Sequence, residues 1–366
     1  MIEKNIILSA PLAGSFSDRL DHLYSQVRER LTATDGGAVR LLYTRAYLSD
    51  VMGQLPMLLS HPLYHQILSQ GAFSYVEQPP LCGCKIALLL SLVPAEAVQP
   101  LEPTSDQLDH DGKRAFRIGD DLLLFHSVRL SDREAAGLSV KEQTERCFEH
   151  HIDWLASEGM TLRDNCLRTW LYVRDIDHHY AAVVQGRNEV FRREGLTRDT
   201  HFIASTGISG NTVSPAPIGI DFLSVKSASI RTKFLQAPDY LNPTYQYGVA
   251  FERGTSVDLH GVKRLFISGT ASIDKEGKCL YIGDVRKQAE RLLTNIDQLL
   301  KADDSSLDRL SYLIVYLRDL SDYSLIQHYL SERFPHLPML ITLAPVCRSQ
   351  WLIECEGMAI QSTPNY

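Results

Sequence analysis

Residues 283–319, GDVRKQAERLLTNIDQLLKADDSSLDRLSYLIVYLRD, carry the pattern that decides the fold. Apolar side chains in the first part recur at helical spacing, at Val285, Ala289, Leu292, Leu293, Ile296 and Leu299. A polar stretch then leads into YLIVYLRD (312–319), which is typical of a strand. Because RLFISGTAS (264–272) before it also reads as a strand, the region predicts a strand–helix–strand unit.

The same order of elements occurs earlier in the chain. LLLFHSVRL (122–130) predicts a strand, KEQTERCFEHHIDWLASEG (141–159) a helix and TWLYVRD (169–175) a second strand. This strand ends in Tyr-x-Arg-Asp, as does the strand at 312–319. A second helix and another strand follow each motif, so the sequence predicts an internal duplication.

The duplication predicts an α+β protein of two fused halves, each a mixed β-sheet with helices packed on one face. Residues 1–210 are assigned to the N-terminal half and residues 244–366 to the C-terminal half. Residues 211–243, rich in Ser, Pro and Thr, are interpreted as the connection between them. Residues 1–80 are interpreted only as completion of the first half.

Composition excludes several classes of function. The 37 basic and 44 acidic residues form no run of like charge, so we expect no nucleic-acid partner. No apolar stretch is long enough for a secretory signal or a membrane span. Seven cysteines without framework spacing indicate reduced thiols. We therefore expect a soluble, cytoplasmic protein.

Short Cys and His motifs could suggest a metal site. Cys82-Gly83-Cys84 is compatible with metal or redox chemistry, but no second Cys or His pair stands at zinc-site spacing. The doublets at 150–151 and 178–179 lack the i, i+4 spacing of two zinc-binding histidines and are interpreted as solvated. We expect neither a metal nor a cofactor.

The C-terminal strand carries the first candidate catalytic residues. Between Trp351 and Ile360, a period of two places Glu354 and Glu356 on one face. Burial of two carboxylates is costly unless they are paired or protonated, and a raised pKa suits a general acid. A simply solvated strand face remains the alternative.

Other candidates are a thiol and several groups that could hold an anionic ligand. Cys347 stands beside Arg348, whose charge favours a thiolate, although a buried inert Cys is the alternative. Gly269 would allow a ligand to approach the backbone closely. Arg253 could grip a carboxylate with two hydrogen bonds. Thr270, next to Gly269, and Tyr247, six residues before Arg253, each contribute a hydroxyl group.

These motifs carry a family resemblance. ISGTASIDKEGKCLYIGDVRKQAERLLTNIDQLL (267–300), VYLRD (315–319) and LIECEGMAI (352–360) resemble the YjgF-like reactive-intermediate deaminase superfamily. Within it, the combination of motifs resembles the chorismatases over about residues 120–360. The segments concerned are TWLYVRDIDHHYAAVVQGRNEVFRREGL, STGISG, QYGVAFERG, SGTASI and VCRSQWLIECEG.

The resemblance implies an enzyme that converts chorismate, without a cofactor, in a homotrimer with one site per chain in the C-terminal half. It implies that Glu354 protonates the enolpyruvyl methylene. It also implies that a branch with a cysteine at the position of Cys347 releases 3-hydroxybenzoate and pyruvate. Arg253, Arg318 and Arg348 are then candidates for binding the substrate carboxylates.

Two other activities remain open within this resemblance. One is hydrolysis of chorismate to a dihydroxycyclohexadiene carboxylate. The other is an imine deaminase or a ligand-binding protein without turnover. The deaminases carry an Arg in a Pro-Ala-Arg sequence, whereas this chain has Pro338-Met339-Leu340, which counts against deamination.

Overall fold

The chain forms three consecutive units, each built on its own β-sheet. The structure is a computed structural model that describes residues 3–32, 38–101 and 111–362. All three sheets mix parallel and antiparallel pairs, and helices pack on them. The predicted α+β class is therefore confirmed.

The first unit has a four-stranded sheet of order β1-β4-β2-β3. Its elements are β1 (Lys4–Ser9), α1 (Phe16–Thr32), β2 (Val39–Leu48), α2 (Val51–Ser60), β3 (Ala72–Glu77) and β4 (Ile86–Pro94). Asp50 caps α2 by accepting a hydrogen bond from the Gly53 amide. This unit corrects the interpretation of residues 1–80 as mere completion of the first half.

The second unit has a six-stranded sheet of order β5-β6-β7-β10-β8-β9. Its strands are β5 (Gln99–Pro100), β6 (Asp111–Ile118), β7 (Asp121–Arg129), β8 (Cys166–Val173), β9 (Ala204–Ser209) and β10 (Ile218–Lys226). Its helices are α3 (Asp132–Ala135), α4 (Val140–Ser157), α5 (Leu162–Asn165) and α6 (Ile176–Arg193). The segment 211–243, expected to connect the halves, thus includes a strand at the centre of this sheet.

The third unit has the sheet order β11-β12-β13-β16-β14-β15. Its strands are β11 (Arg231–Phe234), β12 (Gly254–Leu259), β13 (Val262–Ala271), β14 (Leu310–Leu317), β15 (Met339–Leu343) and β16 (Ile353–Ser362). Its helices are α7 (Val285–Lys301) and α8 (Tyr323–Arg333). The apolar positions predicted for the helix in 283–300 are all buried in α7.

Register shows that the three units repeat one topology. Tyr47, Tyr172 and Tyr316 are each the second-last residue of β2, β8 and β14. On the neighbouring antiparallel strand they face Ala87, Gly219 and Glu354. The duplication predicted from the sequence is therefore present, and the first unit adds a third copy.

Backbone hydrogen bonds join the units in a cycle. The Glu77 amide donates to the Asn211 carbonyl over 2.9 Å, which joins the first unit to the second. The Ser209 amide donates to Pro345 over 3.1 Å, joining the second to the third. The Leu81 amide donates to Ile341 over 2.9 Å and closes the cycle. The three sheets enclose a shared apolar core.

One histidine doublet departs from its predicted solvation. His151 is fully buried in α4. Its Nδ1 lies 3.1 Å from Nδ1 of His126, and its Nε2 lies 2.9 Å from the Ser224 hydroxyl. The helical pattern placed the doublet correctly, but only the packing of α4 against β7 and β10 sets which of its two residues is buried.

Candidate functional site

A cavity of about 360 Å³ lies between the second and third units. Glu354 of β16 and Cys347 of the β15–β16 loop line it from the third unit. Residues of α6 and β9 line it from the second unit. The site is therefore not confined to the C-terminal half, which corrects the expectation from sequence, because the first predicted half supplies one wall.

Glu354 is the carboxylate of this cavity. Its side chain is 4 % exposed, and no hydrogen bond or ion pair fixes it within the part of the chain that the structure describes. Burial raises its pKa to about 8, the nearby Glu356 adds to this rise, and Arg253 and Arg168 oppose it. The group is therefore mainly a neutral acid at neutral pH, able to donate a proton.

Glu356 lies on the same face of β16 but belongs to a buried charge cluster where the three units meet. Its carboxylate accepts hydrogen bonds from Arg168 over 2.8 Å, Arg45 over 3.2 Å and the indole of Trp170 over 3.0 Å. These partners come from the first and second units. The two carboxylates thus lie on one face of the strand, as predicted, but differ in environment. Glu356 is ion-paired, whereas Glu354 is open to the cavity.

Asp221 of β10 occupies the position in the second unit that Glu356 occupies in the third. It accepts a hydrogen bond from Arg129 over 2.9 Å and lies 3.9 Å from Arg45. Three arginines and two carboxylates are thereby buried together. A buried ion cluster of this kind is costly to disrupt by removing one member, so we assign it a structural role.

The backbone at Gly269 packs closely against the side chain of Glu354. A Cβ atom at this position would lie 2.2 Å from Oε1 of Glu354. The Gly269 amide donates to the Thr206 hydroxyl over 2.9 Å, which ties β13 to β9. Only glycine therefore leaves space for the carboxylate as the structure places it.

Cys347 lies beside Tyr180 of α6, and the two side chains share a hydrogen bond. Burial and the adjacent Glu354 raise the pKa of the Cys347 thiol to about 12, although Tyr180 and Arg348 act in the opposite direction. This corrects the expectation that Arg348 yields a thiolate, because desolvation of the thiol outweighs the attraction of an exposed guanidinium. Cys347 is a neutral thiol at neutral pH.

Three arginines line the cavity. Arg253 is buried and donates to the backbone and side-chain oxygens of Asn242. Arg348 is exposed, and its guanidinium lies 4.8 Å from the ring of Trp351. Arg187 of α6 is 2 % exposed and was missed by the sequence reasoning. The cavity therefore has positive charge on both walls.

Two other predicted site residues, Arg318 and Thr270, do not line this cavity. Arg318 binds Asp177 of α6 through two hydrogen bonds of 2.9 Å and donates to the Val346 carbonyl, so it fastens the loop before Cys347. Thr270 is buried and donates to the Ser268 carbonyl over 2.9 Å. Tyr247 ends a short 3₁₀ helix, and its side chain lies outside the described residues.

The wall from α6 was not predicted as part of the site. A Cβ on Gly186 would lie 2.5 Å from the Lys141 carbonyl, so this glycine lets α6 approach α4 closely. The packing places Tyr180 and Arg187 at the cavity. Buried Tyr and Arg on a helix give no distinctive sequence pattern, although the Tyr-x-Arg-Asp motif marks the strand end from which α6 starts.

The described residues also bear on whether the protein has a metal site or a membrane-spanning helix. Within residues 3–32, 38–101 and 111–362, no group of three or more His, Cys, Asp or Glu side chains is arranged to hold a metal ion. No helix in the same ranges is long and apolar enough to cross a membrane.

Comparison with known proteins gives related sequences for the third unit. The family model described as Endoribonuclease L-PSP matches residues 256–361. RutC family protein PYRAB12510 of Pyrococcus abyssi is 31% identical over 97 residues, which are 26% of this chain and 76% of that protein. RutC family protein PH0854 of Pyrococcus horikoshii is also 31% identical over 97 residues, with 77% of its length covered.

A solved structure of a chorismatase matches most of the fold. It superposes with a TM-score of 0.67 at 21% identity and covers 90% of this chain and 96% of that protein. The similarity includes the first unit, which the sequence relatives of the third unit do not cover. The two proteins share a fold.

Proposed function

Because the chain belongs to the RutC family and shares its overall fold with a chorismatase, we propose that it converts chorismate to pyruvate and 3-hydroxybenzoate. The observation that carries the proposal is Glu354, a buried carboxyl group without an ion pair among the described residues, in a cavity lined by arginines. The chemistry begins with protonation of a carbon atom, which needs an acid that remains protonated at neutral pH. Glu354 is such an acid, since its pKa is raised to about 8.

In the proposed reaction, Glu354 gives its proton to the methylene carbon of the enolpyruvyl group. The resulting oxocarbenium ion lies beside the newly formed carboxylate, which stabilises it electrostatically. Arg253 favours the ionised form of Glu354, so it assists the proton transfer. The substrate supplies two carboxylates, and the arginines at the cavity supply cations for them.

The size and charge of the cavity fit this substrate class. Its volume of about 360 Å³ suits a small organic acid. Arg187 and Arg253 stand on opposite walls, one from each unit, and we assign them to the two carboxylates. Arg348 at the exposed side is assigned to attraction of the anion at the entrance. Arg318 is not assigned to substrate because Asp177 holds it.

Cys347 decides between products in this proposal. Rearrangement to 3-hydroxybenzoate consumes no water, whereas hydrolysis to the dihydroxydiene consumes one. A half-buried neutral thiol beside Glu354 occupies space that a water molecule could otherwise take. We therefore assign Cys347 to exclusion of water from the cation, as a neutral thiol.

Assembly and location belong to the proposal as well. We propose a homotrimer, which the family resemblance implies, and a cytoplasmic location, which the reduced thiols indicate. A single sheet of this fold would leave an apolar face uncovered, which another subunit could bury, but here three sheets of one chain cover one another. A homotrimer would then use surfaces other than these covered sheet faces, and the described lining of the candidate site comes from one chain.

The experiment is incubation of purified protein with chorismate and separation of the products by chromatography with mass detection. We expect pyruvate and 3-hydroxybenzoate in equal amounts. Release of pyruvate with the dihydroxydiene alone would refute the assigned role of Cys347 and keep the enzyme class. Unchanged chorismate, under conditions where the protein is folded by circular dichroism, would refute the proposed function.

A further inference from the structure

The loop between β3 and β4 carries two thiols that the proposed function does not use. Cys82 is exposed, whereas Cys84 is 3 % exposed and packs in the apolar core. Their sulfur atoms lie 3.4 Å apart. Sulfur atoms in a disulfide are about 2 Å apart, so a small rotation of the side chains would bring these two to bonding distance.

The backbone holds this loop in place from both sides. The Leu81 amide donates to Ile341 of β15, and the Leu343 amide donates to Pro79, each over 2.9 Å. Gly83 has φ +86°, a conformation that favours glycine, and its amide donates to the Pro80 carbonyl over 3.4 Å. The turn therefore keeps the two sulfurs together in the reduced protein.

The two thiols differ in ionisation. A hydrogen bond with Cys84 lowers the pKa of Cys82 to about 6 despite partial burial. The same hydrogen bond, together with burial, raises the pKa of Cys84. The titratable groups that face Cys82 are Cys84 and Tyr323 of α8. The greater exposure of Cys82 and the shared hydrogen bond favour a thiolate on Cys82 over one on Cys84, which is the arrangement of an attacking and a resolving cysteine.

The remaining five cysteines lack these properties. Cys147, Cys166 and Cys355 are buried. Cys279 and Cys347 are half-buried, and burial raises the pKa of each. Cys82 and Cys84 are therefore the pair of thiols best suited to thiol–disulfide exchange in the described part of the chain.

We propose that Cys82 and Cys84 form a redox-active dithiol whose substrates are low-molecular-weight disulfides of the glutathione class. The Cys82 thiolate attacks one sulfur of the small disulfide, the sulfur–sulfur bond breaks, and the first small thiolate leaves and takes a proton from water. Cys84 then loses its proton and attacks the sulfur of Cys82, which expels the second small thiol. The protein is oxidised to a Cys82–Cys84 disulfide, and the small disulfide is reduced to two thiols.

The test is incubation of the reduced full-length protein with oxidised glutathione, followed by peptide mass spectrometry. We expect loss of two hydrogen atoms from the peptide that contains residues 82–84. We expect Cys84→Ser to stop at one glutathionyl group on Cys82, because the resolving thiol is absent. Cys82→Ser should form neither product in this peptide, and Cys279→Ser, the matched control, should react like the wild type.

The rate gives a second measurement. The initial rate of glutathione release should fall as pH is lowered through about 6, where the Cys82 thiolate is lost. Reaction of Cys279 or Cys347 in preference to Cys82 would overturn the proposal, as would a Cys84→Ser protein that traps no glutathione. Thermal unfolding of each variant shows that it is folded, and these outcomes do not depend on chorismate turnover.

Discussion

Glu354 and Glu356 lie two residues apart on one face of β16, but only Glu356 is paired with arginines, through Arg45 and Arg168. Burial is the largest cause of the raised pKa of Glu354, and the nearby Glu356 adds to this rise. This relationship between a charged and a neutral acid supports different roles for two identical side chains.

Glu354→Gln should retain the fold and lose nearly all turnover, since an amide preserves the shape and cannot donate the required proton. General acid catalysis typically contributes about 10²–10⁴-fold, so we expect a loss of that order in kcat. Steady-state assay of pyruvate release measures it. A variant that keeps more than about a tenth of the wild-type rate would show that Glu354 is not the acid.

The two glutamates should differ in their effect on stability. Glu356→Gln leaves Arg45 and Arg168 without their full counter-charge, so we expect a loss of about 3–5 kcal/mol in the free energy of unfolding. Glu354→Gln replaces a group that is already mainly neutral, and we expect a change within about 1 kcal/mol. Urea unfolding of both variants measures the contrast. Equal losses would contradict the distinct environments of the two side chains.

Activity should depend on the protonated form of Glu354. Because its pKa is raised to about 8, the acid form predominates below that value and is lost above it. The rate of chorismate conversion should therefore fall as pH rises through about 8. Measurement of kcat/KM from pH 6 to pH 10, with circular dichroism at each pH, checks this. A rate that rises across the same range would show that an ionised carboxylate is needed.

Gly269→Ala should inactivate the enzyme through Glu354. The added methyl group would lie 2.2 Å from Oε1 of Glu354, so the carboxyl group must move. We expect turnover to fall by about tenfold or more, since small displacements of catalytic groups are costly. Thr270→Ser at the adjacent position, which keeps the hydroxyl and adds no atom, is the matched control. Full activity in Gly269→Ala would contradict the described position of Glu354.

Cys347→Ala should change the products more than the fold. Removal of the thiol opens space beside Glu354, and water can then reach the cation. We expect the product mixture to shift from 3-hydroxybenzoate toward the non-aromatic dihydroxydiene or a different hydroxybenzoate. Mass and absorbance separate these products in one chromatogram. An unaltered product at a lower rate would show that Cys347 does not control the access of water to the cation.

Turnover per chain should not depend on protein concentration, because all described walls of the cavity come from one chain. Light scattering reports the oligomeric state, and the same dilution series is assayed for activity. If specific activity falls as a larger assembly dissociates, another copy contributes to the site.

The sequence predicted the repeated elements well because their signals are local. The helical spacing in 283–300 and the strand at 312–319 correspond to α7 and β14. The first unit was missed because its strand ends in Tyr47-Leu48-Ser49-Asp50, where Ser replaces the Arg of the motif. Comparison of this segment with residues 172–175 and 316–319 would have found it.

The sequence alone determined that Glu354 and Glu356 share a strand face, because side chains in a strand alternate with a period of two. It also placed a thiol and an arginine just before that strand. Only the tertiary structure decided which carboxylate is paired, since Arg45 and Arg168 reach Glu356 from the first and second units. The protonation of Glu354 and of Cys347 was likewise decided by burial, which depends on how the units pack and not on neighbouring residues in the chain.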